Sequence, residues 1–197
     1  MRLGIFGGSF DPPHLGHKHL AEKFVKICEL DSCLIIPAYV SPHKHRTDAS
    51  GVDRLNMCQL LFNEPHYEVT DIELKRTGKS YTIDTLESLV KSHPDDKIIL
   101  SMGTDMLTCF TSWHRYKDIL DLCDIFAFAR ENGGELKMHE YVEKNLPEYS
   151  DKIHIFAVNP LEMSSTEIRD LIEENADTTG YLSEEVRKYI DDRGLYS

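Results

Sequence analysis

Five short runs of almost unbroken apolar character recur along this chain: Arg2–Phe6, Ser32–Pro37, Lys97–Met102, Ile125–Ala129 and Ile153–Val158. A strand with one wet face alternates apolar and polar residues. An unbroken apolar run belongs to a strand covered on both faces, as in a parallel sheet flanked by helices. The segments between the runs carry helical spacing. His14–Cys28 has Leu20, Phe24, Ile27 and Cys28 on one face, and Val52–Phe62 has Leu55, Met57, Leu60 and Leu61. Ser80–Val90, Thr104–Phe110, Tyr116–Leu122, Glu135–Leu146, Thr166–Glu174 and Ser183–Asp191 also read as helices, and Tyr67–Val69 and Ile72–Leu74 as short strands. Strands alternating with helices predict one doubly wound α/β domain over 1–197, with a mostly parallel sheet and a helical part from about 160 to 197. Ligands of such folds lie outside the carboxyl ends of the strands. Four loops are expected there: 7–13, 38–51, 103–113 and 159–166.

A chain of 197 residues can bury a core without disulfides or a structural metal. The five cysteines, at 28, 33, 58, 109 and 123, are odd in number and lack Cys-x-x-Cys spacing. Reduced thiols in a cytoplasmic protein are expected. No apolar run approaches the roughly 20 residues that span a bilayer, and the N-terminus does not read as a signal peptide. The net charge of −12 argues against nucleic acid as a partner. Residues 1–60 nevertheless hold seven Lys/Arg against six Asp/Glu and five of the ten histidines, which suits a small anion.

The loop after the first strand is Gly7-Gly8-Ser9-Phe10-Asp11-Pro12-Pro13-His14-Leu15-Gly16-His17. It is neither a Walker loop nor Gly-x-Gly-x-x-Gly. Gly7 and Gly8 let the backbone approach a ligand, and their amides can face phosphate oxygens. His14 and His17 are three apart at a helix start, on one face beside the positive end of the dipole. A metal site using His14, His17 and His19 is disfavoured, because His19 points about 160° away from His17 on a helix. Near the other end, Met163-Ser164-Ser165-Thr166-Glu167-Ile168-Arg169 reads as a helix start. Ser164 and Glu167 form a capping box, with Met163 and Ile168 as the staple. The same residues could clamp phosphates through three hydroxyls and Arg169.

The first string resembles the signature of the HxGH nucleotidyltransferases, and the second resembles their Ser-Ser-Thr-x-Ile-Arg motif. Ser41-Pro42-His43-Lys44, Ser80-Tyr81-Thr82-Ile83-Asp84-Thr85-Leu86, Gly103-Thr104-Asp105-Met106 with Trp113, and Tyr189-Ile190 with Gly194-Leu195-Tyr196 narrow the resemblance to the nicotinate-nucleotide adenylyltransferases. It covers nearly the whole chain and implies a Rossmann-like fold. It also implies transfer of the adenylyl group of ATP to nicotinate mononucleotide, giving nicotinate adenine dinucleotide and pyrophosphate.

By this resemblance, His14, His17, Lys44 and Arg169 would serve catalysis. Gly7, Gly8, Ser9, Phe10, Gly103, Asp105, Ser164, Ser165 and Thr166 would join His14, His17 and Arg169 around ATP. Ser9, His43, Lys44, Thr85, Trp113 and Arg130 would serve the acceptor. Asp105 would meet the adenosine ribose, although it also reads as a helix N-cap. Trp113 would stack on nicotinate, although it also reads as a core residue. Arg54 reads as a phosphate ligand or an ion-pair partner. Mg²⁺ is expected on the ATP phosphates, with no protein metal site. The chain departs from the family at Ala38 and Tyr39, where Asn commonly follows the Pro, and at Ser41, where Pro is usual. Other acceptors (nicotinamide mononucleotide, phosphopantetheine) and a non-catalytic nucleotide-binding protein are the alternatives. The oligomeric state is open, a homodimer being one option.

Overall fold

The computed structural model describes residues 1–39, 48–76, 80–129, 133–158 and 164–197. Its elements are β1 (Arg2–Gly8), α1 (Leu15–Ile27), β2 (Ser32–Pro37), α2 (Gly51–Leu61), β3 (Tyr67–Val69), α3 (Thr82–Ser92), β4 (Lys97–Gly103), α4 (Thr104–Leu107), α5 (Tyr116–Leu122), β5 (Asp124–Ala129), α6 (Gly134–Asn145), β6 (Ile153–Ala157), α7 (Ser165–Glu173) and α8 (Glu184–Arg193). The strands form one sheet in the order β3-β2-β1-β4-β5-β6. Pairing is parallel from β1 to β4, β4 to β5 and β5 to β6, with Leu3 opposite Ile98, Leu100 opposite Ile125 and Phe128 opposite Phe156. Strand order 3-2-1-4-5-6 with flanking helices is the doubly wound, Rossmann-like α/β arrangement that the apolar runs predict.

The backbone clusters into two compact units, neither a continuous stretch of chain. The first comprises Met1–Phe6, Lys23–Cys33 and Tyr81–Pro160. Its core is apolar. Phe126 stacks on Phe156 at 4.6 Å between ring centroids and meets Phe24 at 5.2 Å and Phe128 at 5.1 Å. A side chain at Gly4 would collide with Phe24 and Leu30, so β1 needs glycine where they cover it. The core thiols here are inert: burial pushes Cys28 up to about 11 and Cys123 up to about 12.

The second unit comprises Gly7–Glu22, Leu34–Ser80 and Leu161–Ser197. Here α2 and α8 are tied through buried Asp53. Its carboxylate accepts from Ser50 Oγ (2.5 Å), Tyr189 Oη (2.9 Å) and Arg193 Nη2 (3.1 Å). The Ser50 hydroxyl, then Tyr189 and Arg193, hold that carboxyl below its usual range. Tyr189 in turn accepts from Asn56 Nδ2 at 2.9 Å.

Three local expectations change. Ile72–Leu74 is not a strand but a turn, closed by Lys75 N to Asp71 O (3.0 Å). Leu74 is apolar because it packs against Gly51 at the start of α2. The expected helix 104–110 stops at Leu107, and a 3₁₀ turn follows at Phe110–Ser112. In α2 the buried residues are Asp53, Arg54, Met57, Cys58 and Leu61, so the inward stripe is rotated away from Leu55 and Leu60 and carries two charges.

Candidate active site

The first loop is built around buried side chains. Phe10 is 1% exposed and adopts a left-handed φ of 50°, a conformation uncommon for a bulky residue. Its ring packs on His17 at 5.0 Å and on Phe62 at 6.2 Å. Only the Phe10 backbone is therefore available to a ligand. Gly7 is exposed and Gly8 half-buried, and any side chain at Gly8 would press on the Phe10 ring. The chain turns through a cis Asp11–Pro12 bond.

His14 caps α1, accepting through its carbonyl from the amides of His17 (2.9 Å) and Lys18 (3.2 Å). His17, at the third helical position, reaches back so that Nδ1 accepts from the His14 amide at 3.2 Å. This is one half of a capping box, the bond from the third helical side chain back to the cap amide, with imidazole as the acceptor. In the neutral ring it leaves the proton on Nε2. The two rings lie 3.8 Å apart between centroids, which places both on one face. The Leu15 amide is taken by Tyr181 O at 2.8 Å. An anion at this helix end would therefore meet imidazole more than helix amides.

The capping box expected at the second motif is present. Ser164 N donates to Glu167 Oε2 (2.7 Å), and Glu167 N donates to Ser164 Oγ (3.2 Å). Hydrogen bonds from the Ser164 hydroxyl and amide hold the Glu167 carboxyl below its usual range. Ser164 Oγ is thereby committed to Glu167 (2.7 Å). Beyond it, Ser165 Oγ donates to Pro12 O at 3.0 Å and Arg169 Nη1 donates to Asp11 O at 2.8 Å. Two motifs more than 150 residues apart in sequence meet through these bonds. Among the described residues, the amides of Ser165 and Thr166 have no partner, as expected of a helix start open to anions.

Three residues hold this junction: Asp11 and Tyr196, which had no role from sequence, and Arg54, whose role there was different. The buried Asp11 carboxylate accepts from the Asp48 amide (2.8 Å), the Ala49 amide (3.0 Å) and Tyr196 Oη (2.9 Å). Burial, then the Asp11 charge, pushes the Tyr196 hydroxyl well above its ordinary range. Arg54 is 1% exposed and donates from Nη1 to Ser9 O (2.6 Å) and from Nη2 to Ala38 O (2.7 Å). Burial lowers its pKa. It is thus neither phosphate ligand nor ion-pair partner: it binds main-chain carbonyls of two loops. One signal was available, because Arg54 shares a helical stripe with Met57, Cys58 and Leu61.

Thr85, Gly103, Asp105 and Trp113 belong to the other unit. Gly103 is the N-cap of α4, and Asp105 stands exposed in the first turn without a capping bond. The N-cap reading of Asp105 is therefore wrong, and its carboxylate is not committed to the helix. Thr85 is 2% exposed, within the first turns of α3. Trp113 is half-buried, its ring 5.3 Å from that of Phe110. Among the described residues no cluster of three His, Cys, Asp or Glu could hold a metal ion.

Comparison with known proteins decides the family. The Cytidylyltransferase-like family model matches residues 5–171. A "Probable nicotinate-nucleotide adenylyltransferase" of Hydrogenovibrio crunogenus is 36% identical over 98% of this chain and 97% of its own length. One of Geobacillus thermodenitrificans is 33% identical over 99% of this chain and 86% of its own. The chain belongs to the nicotinate-nucleotide adenylyltransferase family. The fold agrees: a Plasmodium falciparum nicotinic acid mononucleotide adenylyltransferase complexed with NaAD superposes with a TM-score of 0.75 at 18% identity, over 99% of this chain and 97% of that one.

Of the residues that the nicotinate-nucleotide adenylyltransferase resemblance singled out, His43, Lys44 and Arg130 lie outside the described residues, as does the staple residue Met163. His14, His17, Ser165, Thr166 and Arg169 come together in the second unit, and Thr85, Gly103, Asp105 and Trp113 belong to the first. No helix among the described residues is long and apolar enough to cross a membrane.

Proposed function

We propose that this family member transfers the adenylyl group of ATP to nicotinate mononucleotide. A phosphate oxygen of the mononucleotide attacks the α-phosphorus of ATP in line. A new P–O–P bond forms, the α–β bridge breaks, and pyrophosphate leaves. The substrate supplies the nucleophile, so the protein's work is orientation and charge stabilisation. The observation that carries this reading is the junction of the two motifs at the Asp11 and Pro12 carbonyls. It gathers imidazole, hydroxyl, amide and guanidinium donors, and donors are what a polyphosphate requires.

His17, with Nδ1 engaged, donates from Nε2 to the transferring phosphate, and His14 lies beside it. Arg169, Thr166 and the first amides of α7, that of Ser165 included, hold the β- and γ-phosphates, where charge grows as pyrophosphate departs. Gly7, Gly8, Ser9 and Phe10 contribute backbone. Lys44 and His43 assist at the transferring phosphates, with Arg130 at the acceptor phosphate. Asp105 takes the adenosine ribose, and Trp113 with the Thr85 backbone takes the nicotinate ring. Mg²⁺ arrives on the nucleotide. The acidic side chains of the junction support this, since the Asp11 carboxylate holds three donors and that of Asp48 is paired with Arg169. The family match from 5 to 171 runs through both compact units, which supports one nucleotidyltransferase domain. Five free thiols fit a cytoplasmic location.

The test is pyrophosphate release from MgATP with nicotinate mononucleotide, nicotinamide mononucleotide or phosphopantetheine. Turnover is expected with the acid, with the amide far slower. Pyrophosphate from phosphopantetheine alone, or from no acceptor, contradicts the reading.

A further inference from the structure

Arg169 is held on two sides. Nη1 donates to Asp11 O at 2.8 Å, and Nε pairs with Asp48 Oδ2 at 2.8 Å. Among the described residues Nη2 has only a long contact, 3.4 Å to Thr166 Oγ1. The guanidinium is therefore held, among those residues, at Nε and at Nη1, and Nη2 is the nitrogen left to bind. The side chain of Asp48 is 60% exposed, yet its backbone is pinned, because its amide and the next one both donate to the buried Asp11 carboxylate. Asp11 is itself anchored by Tyr196. An exposed ion pair contributes little to stability. Pinning the backbone beneath one serves geometry instead.

We propose that Asp48 is a positioning residue for Arg169: it holds Nε so that Nη2 faces the leaving phosphates. The inference rests on the proposed phosphate role of Arg169. The carboxylate does two opposing things. It orients the guanidinium, and it places a negative charge beside the site of an anion. Geometry and charge separate in two substitutions. Asp48→Asn keeps an oxygen acceptor for Nε and removes the charge. Asp48→Ala removes both. Neither is expected to unfold the protein, because the side chain is largely in water.

The experiment is steady-state kinetics with MgATP as the varied substrate for Asp48→Asn, Asp48→Ala, Arg169→Ala and the double variant Asp48→Ala/Arg169→Ala. Expected are a KM for ATP raised about 2- to 5-fold in Asp48→Ala and lowered by a similar factor in Asp48→Asn, the span of an exposed charge pair. The KM for the acceptor should stay put. The double variant should be no worse than Arg169→Ala alone, since a residue acting through another has nothing left to position. An unchanged KM in Asp48→Ala overturns the proposal. So do effects that multiply in the double variant, which would mean that Asp48 acts elsewhere. If Arg169→Ala leaves KM for ATP unmoved, the phosphate role of Arg169 fails first and takes this proposal with it.

Discussion

The two compact units bury different kinds of polar residue. In the unit containing β4, β5 and β6, the buried polar residues are Thr85, Ser101 and Thr104. These are hydroxyls, and two are satisfied by single main-chain carbonyls: Ser101 Oγ donates to Ile5 O (2.9 Å) and Thr104 Oγ1 to Phe128 O (3.4 Å). In the unit containing the loop at 7–17 and the helix start at 164–169, Ser80 and Thr178 are buried too, but so are Asp11, His14, Asp53 and Arg54. Burying an ion costs several kcal/mol before its partners are counted. An apolar replacement would often be as stable, so such groups are informative about geometry more than about stability. Here Asp11, His14 and Arg54 converge on the loop at 8–14, where a polyphosphate would be gripped. One unit is organised by packing, the other by oriented hydrogen bonds.

Substitutions in the two units should therefore fail differently. The largest effect is expected from Arg54→Ala. It strips donors from Ser9 O and Ala38 O, so urea unfolding should show a loss of about 3 kcal/mol. KM for ATP should rise in whatever protein remains folded. A loss confined to stability would mean that the Arg54 bonds do not shape the loop. Asp53→Asn comes next, at about 2 kcal/mol. The Asp53 carboxyl is held below its usual range in the fold, chiefly by Ser50. Its contribution is therefore full above about pH 4, the unfolded value, and disappears as pH falls through the folded value. The stability gap between wild type and Asp53→Asn should close on acidification. A gap constant from pH 7 to pH 3 would contradict the ion-pair account of the α2–α8 contact.

Phe126→Leu probes the other unit. Loss of ring packing on Phe156, Phe24 and Phe128 should lower stability by about 1–1.5 kcal/mol with KM for ATP unchanged. A KM shift there would erase the contrast between the units. The smallest effect is Ser164→Ala, about 1 kcal/mol for a lost cap, visible as a small fall in Tm.

What was legible in the sequence was what is local. The capping box follows from the Ser164–Glu167 spacing, and the apolar runs gave the strands. Ile72–Leu74 misled because apolar residues at i and i+2 suit a strand, whereas Leu74 is apolar to meet Gly51, more than twenty residues back. Asp11 and Tyr196 act across 185 positions, and no periodicity reports such a bond. Arg54 was half legible: its place among Met57, Cys58 and Leu61 marks it as buried, but not what it binds. The motif at 7–17 marked the loop that Ser165 and Arg169 bind, but it could not show that Phe10 is buried.

The central claim is that the hydrogen-bonded unit performs the phosphate chemistry. It is tested most directly by the kcat for pyrophosphate release, with saturating MgATP and nicotinate mononucleotide, in wild type and His17→Ala. The account predicts a fall of about 10²- to 10³-fold, the size of a lost transition-state donor, with Tm within a few degrees. A kcat within a few-fold of wild type would contradict it.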